Sequence, residues 1–347
     1  MLMSYKKRFF YALILFLVLL VLGEFVCVSF LGLGDPPLYV HDDEIEYLMK
    51  ASARYERFGN EISINRFHMR SGDVTLKKTE ADEFRVLVIS DSVMNGGSLT
   101  DQAELATSLL EGSLGARHGG KVTVCNVSAG SWGPENQLAY VERFGLFDAD
   151  AIVLVVNSED AVDVIDYQHR TAGVRKTHPT KRPRFALEEA FFTYGLRYLG
   201  LGQKYEKPKV TARTHERFEA ATTRLFDLFK KHGKAVFILH QKTQEEIAGG
   251  YLPGFGQWEK FAGAYGFKFI AMGSYFEEAL KSGATPFRDN IHPNARGQKI
   301  IHDILKPLLE KIIAEQIVEQ RERIKKSPTS GLIYNSIHFL FGRANYA

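Results

Sequence analysis

The run Phe84–Ser92, FRVLVISDS, limits the possible folds more than any other stretch. Five of its first six residues are apolar and three are β-branched, which suits a strand covered on both faces. It stops at Ser90-Asp91-Ser92, and Met94-Asn95-Gly96-Gly97 follows as a loop. A helix start signal comes next at Thr100, with Asp101 and Glu104 behind it and LATSLLEG as the helix body. Further apolar runs recur down the chain: KVTVCN ending at Asn126, AIVLVV ending at Val156, KAVFILH ending at His240, and FKFIA ending at Ala271. Helical patterns separate them, notably PENQLAYVERFG and ERFEAATTRLFDLFKKHG, the second closing on Gly233. Strands alternating with helices predict a parallel sheet with helices on both faces. Ser92 then lies at the C-terminal end of the first strand, where open α/β sheets place their ligands. The same residues also suit a plain turn or helix cap.

A second signal lies near the other end. Asp289-Asn290-Ile291-His292 is a D-x-x-H run within RDNIHPNARGQ, ahead of the helical pattern KIIHDILKPLLEKI. An Asp and a His three apart can share one side of a turn. The imidazole is then free to face a nucleophile while the carboxylate orients its other nitrogen.

With these blocks the chain resembles the SGNH (GDSL-type) hydrolases, from about Phe84 to about Ile313. The resemblance is carried by SDS at 90–92, where that family usually reads GDS, by NVSAGSWG at 126–133, by NSED at 157–160 and by DNIH at 289–292. It implies a flavodoxin-like three-layer sandwich with a parallel sheet of about five strands. It also implies a serine esterase, or a related O-acyl (O-acetyl) transferase. Carried over residue by residue, Ser92 is the nucleophile, His292 the base and Asp289 its orienting partner. Gly130 and an Asn of the third block complete the oxyanion hole with Ser92.

The third block departs from the usual G-x-N-D. Aligned on its final Asp, Asn157 stands at the Gly position and Glu159 at the Asn position. An ionised carboxylate repels a developing negative charge where a neutral amide would donate to it, and one such donor is worth roughly 3–4 kcal/mol. Three readings stand: Asn157 takes the donor role, a protonated Glu159 does, or the site has lost activity. The last gives the alternative function, a polysaccharide-binding or assembly scaffold on the same fold.

Ahead of this body, residues 9–22 form an unbroken apolar run that resumes after Gly23-Glu24 as FVCVSFLGLG. Phe9–Leu33 is long enough for a bilayer core, which takes about 20 residues. Lys6, Lys7 and Arg8 precede it, so the positive-inside tendency keeps residues 1–8 cytoplasmic. The soluble part then faces the periplasm or exterior of an inner (cytoplasmic) membrane, with the protein single-pass. A cleaved signal peptide is the rival reading. Residues 34–83 read as a stalk or small β-rich subdomain, in which EISINRFHMR and DVTLKKT alternate like short strands and Arg66, His68 and Arg70 are cleft candidates. Residues 84–313 form the α/β domain, and 314–347 a charged helix followed by an apolar tail.

A stretch at about 161–212 is too long for a simple crossover and reads as a lid or acceptor-binding insert. It joins a basic patch to the aromatic helix candidate LEEAFFTYGLRYLGLG. His240, Gln241 and Tyr251 are possible substrate contacts, and Trp132 and Trp258 sugar-stacking candidates. The net charge of +3 and the lack of a basic stripe argue against a nucleic-acid partner. No spacing suggests a metal or a cofactor. Cys27 and Cys125 lie in segments unlikely to pair, and Cys125 reads as a core residue. The expected partners are therefore an acylated glycan or other ester as substrate, the membrane through the N-terminal helix, and unidentified polysaccharide-export or acetylation proteins.

Overall fold

The computed structural model describes residues 5–80, 82–118, 120–168, 171–174, 177–201 and 210–326. The first element is a helix, α1 (Tyr5–Leu31). Two antiparallel hairpins follow it. β1 (Tyr39–Asp42) pairs with β2 (Glu46–Met49), and β3 (Ala53–Arg57) with β4 (Asn60–Ile64). The α/β body then runs β5 (Phe84–Ser90), α2 (Ser92–Asn95), α3 (Ala106–His118), β6 (Val122–Ser128), α4 (Pro134–Phe144) and β7 (Ala151–Asn157). After β7 come a 3-10 turn (Ser158–Val162) and α5 (Ala186–Glu189), which continues through a π-helical turn (Ala190–Gly195) into α6 (Leu196–Tyr198). The chain closes with α7 (Ala212–His232), β8 (Ala235–Gln241), α8 (Gln244–Gly249), α9 (Pro253–Tyr265), β9 (Lys268–Ala271), α10 (Gly273–Lys281) and α11 (Ala295–Lys326).

The body has the predicted architecture. Five strands form one sheet in the order β6-β5-β7-β8-β9, with every pairing parallel. Numbered along the body alone this is the flavodoxin-like order 2-1-3-4-5, whose switch point lies between its first and third strands. The alternation of each strand sends side chains to two separate cores. Leu87, Ile89, Ile152 and Leu154 meet α4, α7 and α9 through Val141, Phe226 and Trp258. Val86, Val88, Val153 and Val155 meet α3, α10 and α11 through Leu110, Phe276 and Leu305. Burial on both faces is why these strands are uniformly apolar. Gly233 takes the left-handed conformation that ends α7, as its place after KKH predicts. Cys125 lies in the first of these cores, unpaired, and burial pushes its thiol up to about 12.

The structure corrects two expectations outside the sheet. Residues 73–79 form no strand. Their carbonyls go instead to arginine side chains, Val74 to Arg66 and Thr75 to Arg85. The last helix begins at Ala295, so the division at residue 313 falls inside one continuous helix. Residues 34–83, expected as a stalk or small β-rich subdomain, form two hairpins that lie against the C-terminal edge of the sheet. Tyr47 Oη donates to the Gly130 carbonyl, Asn60 Nδ2 to the Ser98 carbonyl at 3.1 Å, and Glu61 N to the Asp101 carboxylate at 2.7 Å. The apolar tail at 331–347 and much of the basic patch lie outside the described residues.

α1 is long and apolar enough to cross a membrane, and its surface is exposed except near its C-terminal end. The segment after β7 packs on the first hairpin: Tyr39 N donates to the Pro179 carbonyl at 2.9 Å and Thr171 Oγ1 to the Glu46 carbonyl at 2.9 Å. At the start of α9, a Cβ on Gly254 would run into the carbonyl oxygen of Ser158. That closeness seats α9 directly on the turn after β7. Gly256, one half-turn on, faces open space. Gly254→Ala therefore lowers unfolding free energy by about 1–3 kcal/mol, the usual scale of overpacking. Gly256→Ala leaves it unchanged or raises it by up to ~1 kcal/mol, through helix propensity. Denaturant unfolding of the two variants, compared with the parent, reads out both.

Candidate active site

The serine is presented by a turn that the surroundings hold rigid. β5 ends at Ser90, whose hydroxyl donates to the Val155 carbonyl at 2.8 Å and ties the turn to the next strand. Asp91 caps the short helix that follows, accepting from Val93 N at 2.9 Å. Asn95 Nδ2 donates to the Ser128 carbonyl at 2.9 Å, joining the serine turn to the Gly130 loop. The carbonyls of the 95–100 loop converge on one buried guanidinium. Arg70 donates to Asn95, to Gly97 at 2.6 Å and to Thr100 at 2.7 Å. Burial lowers its pKa to about 10, so it stays cationic at neutral pH. Carbonyl oxygens buried without such a donor would carry a desolvation penalty of about 1–3 kcal/mol each.

The histidine arrives from the loop before α11. His292 Nε2 lies 2.9 Å from Ser92 Oγ, across 200 positions of sequence. Nδ1–H donates to the Asp289 carboxylate at 2.8 Å, and His292 N–H donates to the same carboxylate at 2.9 Å. The carboxylate thus fixes the tautomer, and Nε2 is left as the acceptor for the serine proton. Burial alone would raise the Asp289 pKa. The His292 N–H, the imidazole and the Ile291 N–H outweigh it and hold the group below the usual carboxylate range.

Two side chains lock this loop onto the serine turn. Arg288 Nη1 donates to the Gly96 carbonyl at 2.9 Å, while Arg288 N donates to the His292 carbonyl at 2.8 Å. Gln298, fully buried at the start of α11, donates to the Val93 carbonyl at 2.7 Å and accepts from Ala106 N at 3.0 Å. From the other side, Asn290 accepts from Gln244 N and Glu245 N.

Two backbone donors near the serine turn are the N–H groups of Ser92 and Gly130. Among the described residues, no group accepts from the N–H of Ser92 or of Gly130. Asn157 is placed differently. Its amide is buried and donates to Asp91 at 3.1 Å and to Asp160 at 2.9 Å, and its oxygen accepts from Glu159 N at 2.8 Å. Both amide hydrogens are used, so the side chain is committed to holding two loops together. Burial pushes the Asp91 and Asp160 carboxyls up; Asp163 adds to both, and Asp91 adds to Asp160. Glu159, two residues after Asn157, is half-buried.

The sequence-predicted residues divide cleanly. Ser92, His292, Asp289 and Gly130 come together at the C-terminal edge of the sheet. Trp132 and Trp258 do not offer stacking faces. Both are buried, with indole N–H groups donating to the carbonyls of Tyr47 and Asn157. His240 and Gln241 are buried too, and Ser158 Oγ lies 2.9 Å from His240 Nε2. Arg66 and His68 bond to the Val74 and Met49 carbonyls, and Arg70 is buried on the 95–100 carbonyls. The sequence reading missed Arg288 and Gln298, though both lie inside RDNIHPNARGQ. Their polarity beside the D-x-x-H run was the available signal.

No family model matches the chain, and comparison with curated proteins gives no match. Solved structures similar in fold do exist. One is a lipolytic protein of the G-D-S-L family from Veillonella parvula, 14% identical, with 63% of this chain and 94% of that chain covered at a TM-score of 0.40. Another is a lipase/acylhydrolase from Enterococcus faecalis, 12% identical, covering 67% and 96% at 0.42. A third is an acetyl xylan esterase, 14% identical, covering 63% and 96% at 0.41. The likeness is one of overall arrangement, and the chemistry of this chain is read from its own side chains.

Arg288→Ala frees the histidine loop from the Gly96 carbonyl without touching the reacting atoms. It lowers turnover by roughly 10- to 100-fold, the scale of an ångström-level misplacement, with circular dichroism unchanged. The pH dependence of folding tests the Asp289 pairing. Its folded pKa lies below the ordinary value of about 3.9, so its contribution is fully present above that pH and is lost as pH falls through the folded value. Asp289→Asn therefore flattens the stability curve only below about pH 4. The carboxyl is half exposed, so solvent screens the effect and keeps it small.

Proposed function

We propose that the chain is a serine esterase working through Ser92, His292 and Asp289. One observation carries this reading: hydroxyl, imidazole and carboxylate in a row at 2.9 and 2.8 Å. In the proposed reaction His292 Nε2 removes the Ser92 proton as Oγ bonds to the ester carbonyl carbon. The N–H groups of Ser92 and Gly130 hold the resulting oxyanion. The tetrahedral intermediate collapses, the ester C–O bond breaks, and His292 returns the proton to the departing alcohol. A second cycle with water as attacker frees the acid and regenerates Ser92. A sugar hydroxyl in place of water gives O-acyl transfer instead. No step calls on a metal or cofactor.

The finer reading places the enzyme on a membrane. α1 supports a single-pass anchor in the cytoplasmic membrane, and the three basic residues in its first turn, ahead of the apolar run from Phe9, support an extracytoplasmic body. An O-acetylated cell-envelope or exopolysaccharide glycan is the proposed substrate, a choice resting on that location. Acetylated mannans are the substrate of one two-domain esterase of similar fold, 12% identical, of which this chain covers 50% at a TM-score of 0.43; that likeness adds no weight.

A second reading, a glycan-binding protein without turnover, draws on one observation. The third block offers no free amide to the oxyanion, because Asn157 is committed and Glu159 replaces the usual Asn. Losing one such donor costs on the order of 10²–10³ in turnover, which slows a catalyst without stopping it. With the full chain in detergent and an aryl acetate as substrate, Ser92→Ala is expected to lower kcat/KM by at least about 10³-fold. Asp289→Asn is expected to cost a similar factor, with the fold intact. Unchanged turnover in Ser92→Ala removes the nucleophile assignment. Glycan binding by a parent protein with no turnover favours the second reading.

A further inference from the structure

α1 does more than tether the body, because its outer end is bonded into the segment that follows β7. Glu24 accepts from the N–H groups of Ala186 at 2.7 Å and Leu187 at 2.9 Å, the unsatisfied donors at the start of α5. Leu187 packs on Gly23, and Cys27, Leu33 and Ala186 form a small apolar cluster with Phe58 and Ala190. Two residues after Leu187, the Glu189 carboxylate is buried against Arg57 and accepts from Gly34 N at 2.8 Å. The depth of α5 is therefore fixed relative to α1.

That depth is readable. A hydrocarbon core of about 30 Å, counted from Phe9 at about 1.5 Å per residue, ends near Val28. Glu24 then lies about one turn inside the boundary, where an unpaired carboxylate is costly. The two N–H groups of α5 satisfy it there. Beyond this contact the segment turns outward a set of large apolar side chains: Phe185, Phe191, Phe192, Tyr198, Leu199 and Leu201 are exposed, Tyr198 to 92%. Lys181 and Arg184 flank them and are also exposed. Aromatic rings with adjoining cations at this level match the chemistry of the zone between headgroups and acyl chains.

We infer that the 185–201 segment is a second membrane contact, a short aromatic helix lying in the bilayer interface beside α1. The inference rests on the reading of α1 as a membrane span. It is continuous with that span through Glu24, so no separate partner is needed to cover the exposed rings. The segment also leaves the sheet at the edge that carries Ser92. The edge bearing the candidate site is thereby held close to the lipid surface rather than swinging on a linker.

The full chain reconstituted in phosphatidylcholine vesicles tests this with tryptophan as a depth probe. The two native tryptophans are buried in the core and give a baseline that lipid quenchers do not reach. Tyr198→Trp and Phe191→Trp, both at exposed positions, are expected to emit to the blue of a solvated indole. They lose intensity to lipids brominated near the headgroup end of the chain more than to lipids brominated deep in the chain. Leu17→Trp, in the middle of α1, shows the reverse order. Deep quenching of Leu17→Trp together with iodide-accessible, lipid-insensitive emission from the other two variants overturns the interfacial helix and leaves the span standing. No lipid quenching of Leu17→Trp removes the span and this inference together.

Discussion

Everything functional here depends on a contact between chain segments 200 positions apart. Ser92 and His292 meet because the turn after β5 and the loop before α11 end at the same edge of one parallel sheet. Coulomb attraction between the reacting groups does not bring them together. The contact is set by hydrogen bonds from flanking side chains to backbone groups: the Val93 carbonyl and Ala106 N–H on Gln298, the Gly96 carbonyl on the Arg288 guanidinium, and the 95–100 carbonyls on the Arg70 guanidinium. Buried polar groups of this kind are costly when unpaired, so each one fixes a loop. The side chains of Ser92, His292 and Asp289 inherit that precision.

The sheet was legible because it is buried on both faces. Uniform apolar runs such as AIVLVV leave few alternatives, and their ends marked where loops would gather. Ser92, Gly130, Asp289 and His292 were legible for the same reason, since each sits at a break in a strong pattern. The supporting shell was harder to read. Arg288, Gln298 and Arg70 act by bonding to backbone carbonyls, and a carbonyl leaves no trace in the residue alphabet. Trp132 and Trp258 misled as stacking candidates because a buried indole needs one acceptor, and the Tyr47 and Asn157 carbonyls that supply it lie far away in sequence.

The third block shows how a motif departure is absorbed. Asn157 and Asp160 use the loop's polar groups on each other and on Asp91, so the segment is pinned by an amide bridging two buried carboxyls. What remains for an oxyanion is the backbone of Ser92 and Gly130. Backbone donors survive every substitution except proline, and Tyr47 Oη donates to the carbonyl of Gly130. The hairpins between α1 and the sheet therefore shape the site directly. This ties its geometry to the part of the chain that leads back to α1.

The account stands most directly on whether Ser92 is an activated nucleophile. Incubation of the folded, full-length protein with a fluorophosphonate, followed by intact-mass and peptide mass spectrometry, measures this without knowledge of the substrate. The account predicts a single adduct on Ser92 that disappears when His292 is replaced by alanine. A folded protein with no adduct, or with its adduct on another residue, contradicts it.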